Sequence, residues 1–90
     1  SASTPLALAD IVVYRDDAKT LPFIVVECLE ENASTSKINQ TITQVIVKAN
    51  LLKTAYAVCV AGRAKHVIDM RKYTGSIAQA AIPDIPVVQG

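Results

Sequence analysis

Two acidic residues stand at the borders of apolar runs, where a carboxylate is costly unless it is solvated or paired. Asp10 lies in the run ADIVVY at 9–14, and Glu27 lies near the end of FIVVECL at 23–29. Either acid alone is most simply a strand-end residue that faces water. In a hairpin, however, both carboxylates meet at one end of the sheet and supply the oxygen ligands that Mg²⁺ prefers. We therefore predict a metal site at Asp10 and Glu27, with the backbone carbonyl of Cys28 as a third ligand.

The elements that must position these acids are a hairpin and a helix. The polar residues at 15–20 favour an antiparallel connection, and Pro22 is tolerated at the first position of a strand. A helix is predicted over about 36–53, and Asn32, Ser34, Thr35 and Ser36 are its candidate N-caps. Its apolar residues recur at helical spacing and form one face: Ile38, Ile42, Val45, Ile46, Ala49 and Leu52.

The second half of the chain predicts two further strands. The run AYAVCVAG at 55–62 reads as a buried strand that ends at Gly62, and HVIDM at 66–70 reads as an antiparallel strand after a turn at 63–65. Residues 76–82 are a candidate short helix, and the tail from Pro83 is irregular. The order ββαββ predicts an α/β fold in which the crossover helix makes strands 23–29 and 55–62 parallel. If these strands are neighbours, Cys28 and Cys59 lie close together.

Composition limits the function classes. The chain has 90 residues, 51% hydrophobic and 19% charged, which predicts a single domain over 1–90. The formal charge of +1 gives no global basic surface, so any nucleic-acid contact must be local. Two cysteines without CxxC spacing are predicted to be reduced core thiols. We expect no membrane span, no signal peptide and a cytoplasmic location. Because the first strand begins within ten residues, we also expect a fragment of a longer chain.

The order of these features resembles the PD-(D/E)xK nuclease core. Over about residues 7–70, the chain is similar to the N-terminal nuclease domain of type I restriction enzyme R (motor) subunits. The matching features are Asp10 in ALADIVVY, Glu27 in FIVVECL, Gln44 on the helix and the strand that ends at Gly62. The resemblance implies a restriction-endonuclease-like α/β fold with a mixed sheet. It also implies Mg²⁺-dependent DNA cleavage, with Asp10 and Glu27 holding the metal and Gln44 orienting water or phosphate. The implied partners are DNA and, in an R subunit, motor and methylation-specificity subunits.

Leu29 departs from that pattern, because the family has a water-activating lysine two residues after the glutamate. Lys48 stands where the family has an aromatic residue. Helical spacing puts Lys37, Thr41, Gln44 and Lys48 on one flank. Lys37 or Lys48 could replace the missing lysine, or the flank is only a solvated basic face. Leu29 and the low net charge favour a degenerate site, with little nuclease activity for the polypeptide alone. The alternative is a non-catalytic DNA-binding or protein-assembly module that retains the fold.

Three other polar features receive structural interpretations. His66 lies outside any Cys/His cluster and is predicted to be an exposed strand residue. Pro83-Asp84 is predicted to form a turn, since no acid-x-lysine strand follows it. Glu30 and Glu31 lie beyond the end of a predicted strand and are expected in a solvated loop.

Overall fold

The computed structural model describes residues 10–86. It contains five strands and two helices: β1 (Ile11–Tyr14), β2 (Pro22–Leu29), α1 (Thr35–Leu52), β3 (Tyr56–Ala61), β4 (Ala64–Asp69), α2 (Ile77–Ala80) and β5 (Ala81–Ile82). The predicted order ββαββ is confirmed, and α2 and β5 extend it. Residue 9 of the first predicted strand and residues 87–90 of the predicted tail lie outside the described residues.

The strands form one mixed sheet in the order β1-β2-β3-β4-β5. β2 and β3 are parallel, while the other neighbouring pairs are antiparallel. A parallel pair needs a crossover connection, and α1 is that connection. The mixed sheet with a helix packed against it is the predicted α/β architecture, consistent with a restriction-endonuclease-like fold.

Helix α1 begins and ends with recognisable capping signals. The Ser34 hydroxyl accepts a hydrogen bond from the Lys37 amide at 3.1 Å, so Ser34 is the N-cap among the four candidates. The helix ends at Leu52, and the C-cap residue Lys53 has a φ of 59°, in the left-handed region. Its buried face contains Thr41, Ile42, Val45, Ile46 and Ala49, while Ile38 and Leu52 pack partly buried against the same core.

The sheet has apolar residues on both faces because successive strand residues point to opposite sides. Val25, Ala57, Cys59 and Ile68 pack beneath α1 in one cluster. Ile24, Tyr56, Val58 and Val67 form a second cluster, with Ile82 and Ile85 packed against it. Leu29 packs against the helix-side cluster, which places it on the same face as Val25.

The β3–β4 turn is tighter than predicted. β4 begins at Ala64, so Ala64 and Lys65 belong to the strand and only Gly62 and Arg63 form the turn. Gly62 has φ +60°, and a Cβ there would lie 2.8 Å from the Glu31 Cα. Glycine is therefore needed here both for the backbone conformation and for the close approach of the loop after β2. Glu30 and Glu31 are exposed, as expected.

Two of the sequence predictions about single side chains are wrong. Cys28 is exposed, whereas Cys59 is fully buried. Because Cys28 pairs with Val60 and Cys59 pairs with Glu27, strand alternation puts the two thiols on opposite faces. His66 is half-buried, not exposed, because it lies within β4 opposite Cys59. Pro83 and Asp84 lie in a bend, and Asp84 accepts a hydrogen bond from Lys65 at 2.8 Å.

Candidate active site

The structure brings Asp10 and Glu27 together at one end of the β1–β2 ladder. The last paired residues there are Ile11 and Val26, so Asp10 and Glu27 are the next positions on each strand. The Cys28 amide donates a hydrogen bond to Asp10 Oδ2 at 2.8 Å, and the Asp10 amide donates one to Glu27 Oε2 at 3.3 Å. Each carboxylate thus binds the backbone of the opposite strand, and both carboxyl groups lie at the same edge of the sheet.

Lys48 joins this pair from helix α1. Its Nζ lies 3.0 Å from Glu27 Oε2, and the side chains of Lys48 and Glu27 are only 17% and 14% exposed. Lys48 follows the buried Val45 by three residues and precedes the buried Ala49, so its stem runs along the buried face of the helix. An ammonium group therefore contacts Glu27 from the helix, beside Asp10, while Leu29 occupies the position where the family pattern has lysine.

Lys37 and Gln44, the other polar residues predicted on this flank, are placed differently. Both are exposed. Gln44 lies one helical turn before Lys48, so the two share a side of the helix. Lys37 lies in the first turn, and the solvated-face interpretation describes it well. The same interpretation does not fit Lys48, whose ammonium is paired and whose side chain is largely covered.

The backbone of Cys28 has the orientation that the predicted metal site requires. Its N–H points at Asp10 Oδ2, and the N–H and C=O of one strand residue point toward the same neighbouring strand. The Cys28 carbonyl therefore faces the side on which Asp10 lies. The hydrogen bond from the Cys28 amide could not be predicted from the sequence, because strand register decides which backbone groups face a given side chain.

A row of three residues continues from Glu27 across the helix face of the sheet. Glu27 pairs with Cys59, and Cys59 pairs with His66. Burial raises the pKa of the Cys59 thiol, with smaller contributions from Cys28 and Glu27, so Cys59 stays protonated. His66 Nε2 is buried without a hydrogen-bond partner.

The donor set at this edge fits a hard divalent cation. Among residues 10–86, no group of three or more His, Cys, Asp or Glu side chains is placed to hold a metal ion. Mg²⁺ in nucleic-acid and nucleotide enzymes is commonly held by one or two carboxylates, with water and substrate phosphate completing the shell. Asp10 and Glu27 place two carboxylates here, so a divalent cation at this site would complete its shell with the Cys28 carbonyl, water and substrate phosphate.

Comparison with known protein families gives a match over nearly the whole chain. Residues 3–86 match the family described as the type I restriction enzyme R protein N terminus. The chain belongs to this family. The resemblance seen in the order of Asp10, Glu27, helix and strand is thereby confirmed, and the match extends beyond the residues on which it was based.

Membership of the R-protein N-terminal family supports a nuclease-type domain, a DNA substrate, a divalent metal cofactor and other subunits in general. Searches of curated proteins and of solved structures found no match to this chain. Within residues 10–86, neither helix is long and apolar enough to cross a membrane.

Proposed function

We propose that this domain is a metal-dependent endonuclease that hydrolyses a DNA phosphodiester bond. Asp10 and Glu27 are its metal ligands, and Lys48 supplies the cationic group that the family places on the second strand. The contact that carries this proposal is the 3.0 Å separation of Lys48 Nζ and Glu27 Oε2. This contact supports an active site, because Lys48 provides the cation that Leu29 cannot. Leu29 taken alone would favour a degenerate site.

The reaction is a nucleophilic displacement at phosphorus, in which the oxygen of water forms the new P–O bond. The bond from phosphorus to the leaving deoxyribose oxygen breaks, which yields a phosphate monoester and a hydroxyl group. The attacking water loses a proton, and the leaving oxygen takes one up. Asp10, Glu27 and the Cys28 carbonyl would hold a divalent cation, which would supply Lewis-acid polarisation of the phosphate. We propose Mg²⁺ as that cation, since all of these ligands are oxygen atoms.

Lys48 performs two tasks in this scheme. Its ammonium orients the attacking water beside the acid pair, and its positive charge stabilises the negative charge that develops on the phosphate oxygens. Both tasks depend on where the nitrogen lies and not on which element carries it. A long, largely covered stem anchored along α1 holds the ammonium with little freedom. Lys37 is exposed in the first turn of α1 and has no part in this step.

Gln44 is proposed to bind the substrate. Its exposed amide lies one turn from Lys48 and offers both donor and acceptor groups to a phosphate oxygen or to the attacking water. The loss of this side chain should weaken substrate positioning more than metal binding, because Gln44 is not among the oxygen ligands of the site.

The wider setting follows from the family. We propose that the domain acts in the cytoplasm on DNA, together with a motor subunit or domain and a methylation-specificity subunit. The single domain over 1–90 carries the nuclease site, and the other parts would supply translocation and sequence recognition. This assignment is supported by the family described as the type I restriction enzyme R protein N terminus.

A plasmid-nicking assay with Mg²⁺ and with Mn²⁺ tests the proposal. We expect the wild type to nick supercoiled DNA, Glu27→Gln and Lys48→Ala to lose this activity, and Lys37→Ala to keep it. Lys37 is the matched control because it is a lysine on the same helix. A Mn²⁺ titration followed by electron paramagnetic resonance should show metal binding that Asp10→Asn and Glu27→Gln weaken and Lys37→Ala leaves unchanged.

The second candidate function is a non-catalytic DNA-binding or assembly module. Leu29 in the lysine position and the formal charge of +1 favour it. Under this alternative the wild type does not nick DNA with either metal, whether or not Mn²⁺ binds. Such a result would refute the endonuclease proposal.

A further inference from the structure

The cations of this chain are unevenly distributed between the two ends of the sheet. One end is formed where β1 and β4 finish and where β2 and β3 begin. The connections there carry five of the nine Lys and Arg residues, and we call this group the basic end: Arg15, Lys19, Lys53, Arg71 and Lys72. All five are exposed.

The acids at the basic end are mostly engaged by local contacts. Asp16 accepts hydrogen bonds from the amides of Thr20 and Leu21 and from the Thr20 hydroxyl. Asp69 is 3% exposed, and its carboxylate accepts hydrogen bonds from Arg71. Only Asp17 remains as a third acid in these connections. The exposed charge at this end is therefore positive, whereas Asp10 and Glu27 lie toward the opposite end.

Two of the guanidinium groups are held on a pair of aromatic rings. Arg15 Cζ lies 4.1 Å from the centre of the Phe23 ring, and Arg71 Cζ lies 5.8 Å from the centre of the Tyr56 ring. The two rings meet edge to face with centroids 5.4 Å apart. Arg71 also donates to the Tyr56 hydroxyl at 3.2 Å. Stacking and hydrogen bonding restrict both groups, which reduces the entropy lost when they bind an anion.

The guanidinium of Arg71 stays available to a ligand despite its contact with Asp69. Its Nε donates to Asp69, one terminal nitrogen donates to Asp69 and to the Tyr56 hydroxyl, and the side chain is 70% exposed. Guanidinium presents five N–H donors in a planar fork that suits phosphate oxygens. Arg15 forms no ion pair among the described residues. Both arginines can therefore donate to an incoming anion without breaking a contact in the protein.

We propose that the basic end binds phosphate groups of the duplex DNA backbone and holds the duplex while a nearby phosphodiester reaches Asp10, Glu27 and Lys48. This inference rests on the proposed function, which supplies the substrate. Asp10 directly precedes the edge strand β1 and Arg15 directly follows it, so the two residues are about 17 Å apart along that edge. A duplex that lies along β1 covers this length in about five base pairs, since successive phosphates of one strand are about 3.4 Å apart along the axis. The acid pair repels the backbone, so an anchor away from it is needed.

Binding of a fluorescent 20-base-pair DNA duplex, measured by anisotropy in EDTA at several salt concentrations, tests this inference. Each phosphate contact contributes about −0.9 to the slope of log K against log salt concentration. We expect Arg15→Gln and Lys72→Gln each to weaken binding and to reduce the slope by about that amount. Arg63→Gln is the matched control, because Arg63 is exposed in the turn at the other end of the sheet. It should leave the slope unchanged.

Three results would overturn the inference: no measurable DNA binding by the wild type, an effect of Arg63→Gln as large as that of Arg15→Gln, or tighter binding of duplex RNA than of duplex DNA. Thermal melts of the variants confirm that exposed substitutions leave the fold intact. Because the assay contains no metal, its failure is distinguishable from failure of the endonuclease proposal. If Lys48→Ala lost nicking while Arg15→Gln bound DNA as tightly as the wild type, only the proposal for the basic end would be overturned.

Discussion

Removal of the Lys48 ammonium should destabilise the domain as well as inactivate it. Lys48→Met keeps most of the stem that packs along α1 but leaves the Glu27 carboxylate without its cation. The two side chains are 17% and 14% exposed, so this pair lies between a surface pair and a fully buried one. Exposed pairs contribute about 0–1 kcal/mol, and breaking a buried pair costs about 3–5 kcal/mol.

We therefore expect Lys48→Met to lower the free energy of unfolding by about 2 kcal/mol. For a domain of this size that corresponds to a decrease in Tm of about 10 °C. Glu27→Gln should cost less, because it removes a charge instead of leaving one unpaired. A double-mutant cycle with both substitutions should give a coupling free energy of about 1 kcal/mol, because Glu27→Gln removes the charge that Lys48→Met leaves unpaired.

Urea unfolding followed by circular dichroism at neutral pH measures these differences. Lys37→Met is the control, because Lys37 is exposed and its loss should change the free energy of unfolding by about 0.5 kcal/mol or less. If Lys48→Met were as stable as Lys37→Met and the cycle showed no coupling, the ion pair would not persist in solution. Lys48 would then not hold its ammonium beside Glu27, and it could not act at the site.

Two further predictions concern the loop after β2 and the Asp69 carboxylate. Gly62→Ala should destabilise the domain by about 2 kcal/mol in thermal melts, because it adds a clash with Glu31 to the strain of a left-handed residue. A loss no larger than about 1 kcal/mol, the cost of a left-handed backbone alone, would argue against the close approach. Hydrogen bonds from Arg71 hold the pKa of the Asp69 carboxyl below its usual value. The ionised carboxylate therefore stabilises the fold above about pH 4, and this stabilisation is lost as the pH falls through the folded-state pKa. The free energy of unfolding of Asp69→Asn should accordingly fall less steeply than that of the wild type between about pH 5 and pH 2, as measured by urea titrations. Identical slopes for the variant and the wild type would contradict this.

The fold was largely predictable because its longest elements carry strong periodic signals. Ile42, Val45, Ile46 and Ala49 fall on one helical face, and the structure buries all four. β5 was missed because two residues are too few to show alternation. The burial of His66 was also missed, since β4 begins with Ala64 and Lys65, which resemble turn residues.

The candidate site was predictable in part. Strand order and turn length were enough to place Asp10 beside Glu27, because antiparallel register fixes which residues meet. Spacing along α1 put Lys37 and Lys48 on the same flank and could not separate them. Which lysine reaches the acid pair depends on how the helix lies across β2, and packing between elements far apart in sequence determines that. The cation–π contacts of Arg15 and Arg71 depend on the same kind of packing.

A transfer of the lysine between elements tests directly whether Lys48 takes the role of the missing family lysine. Leu29 packs on the same face of the sheet as Glu27, so Leu29→Lys offers an ammonium from the family position. The measurement is plasmid nicking with Mg²⁺ by the wild type, Lys48→Ala, and Lys48→Ala combined with Leu29→Lys. We expect activity in the wild type, loss in Lys48→Ala, and partial recovery in the double variant. Cleavage that appears only in variants with Leu29→Lys, with an inactive wild type, would show that Lys48 does not take this role.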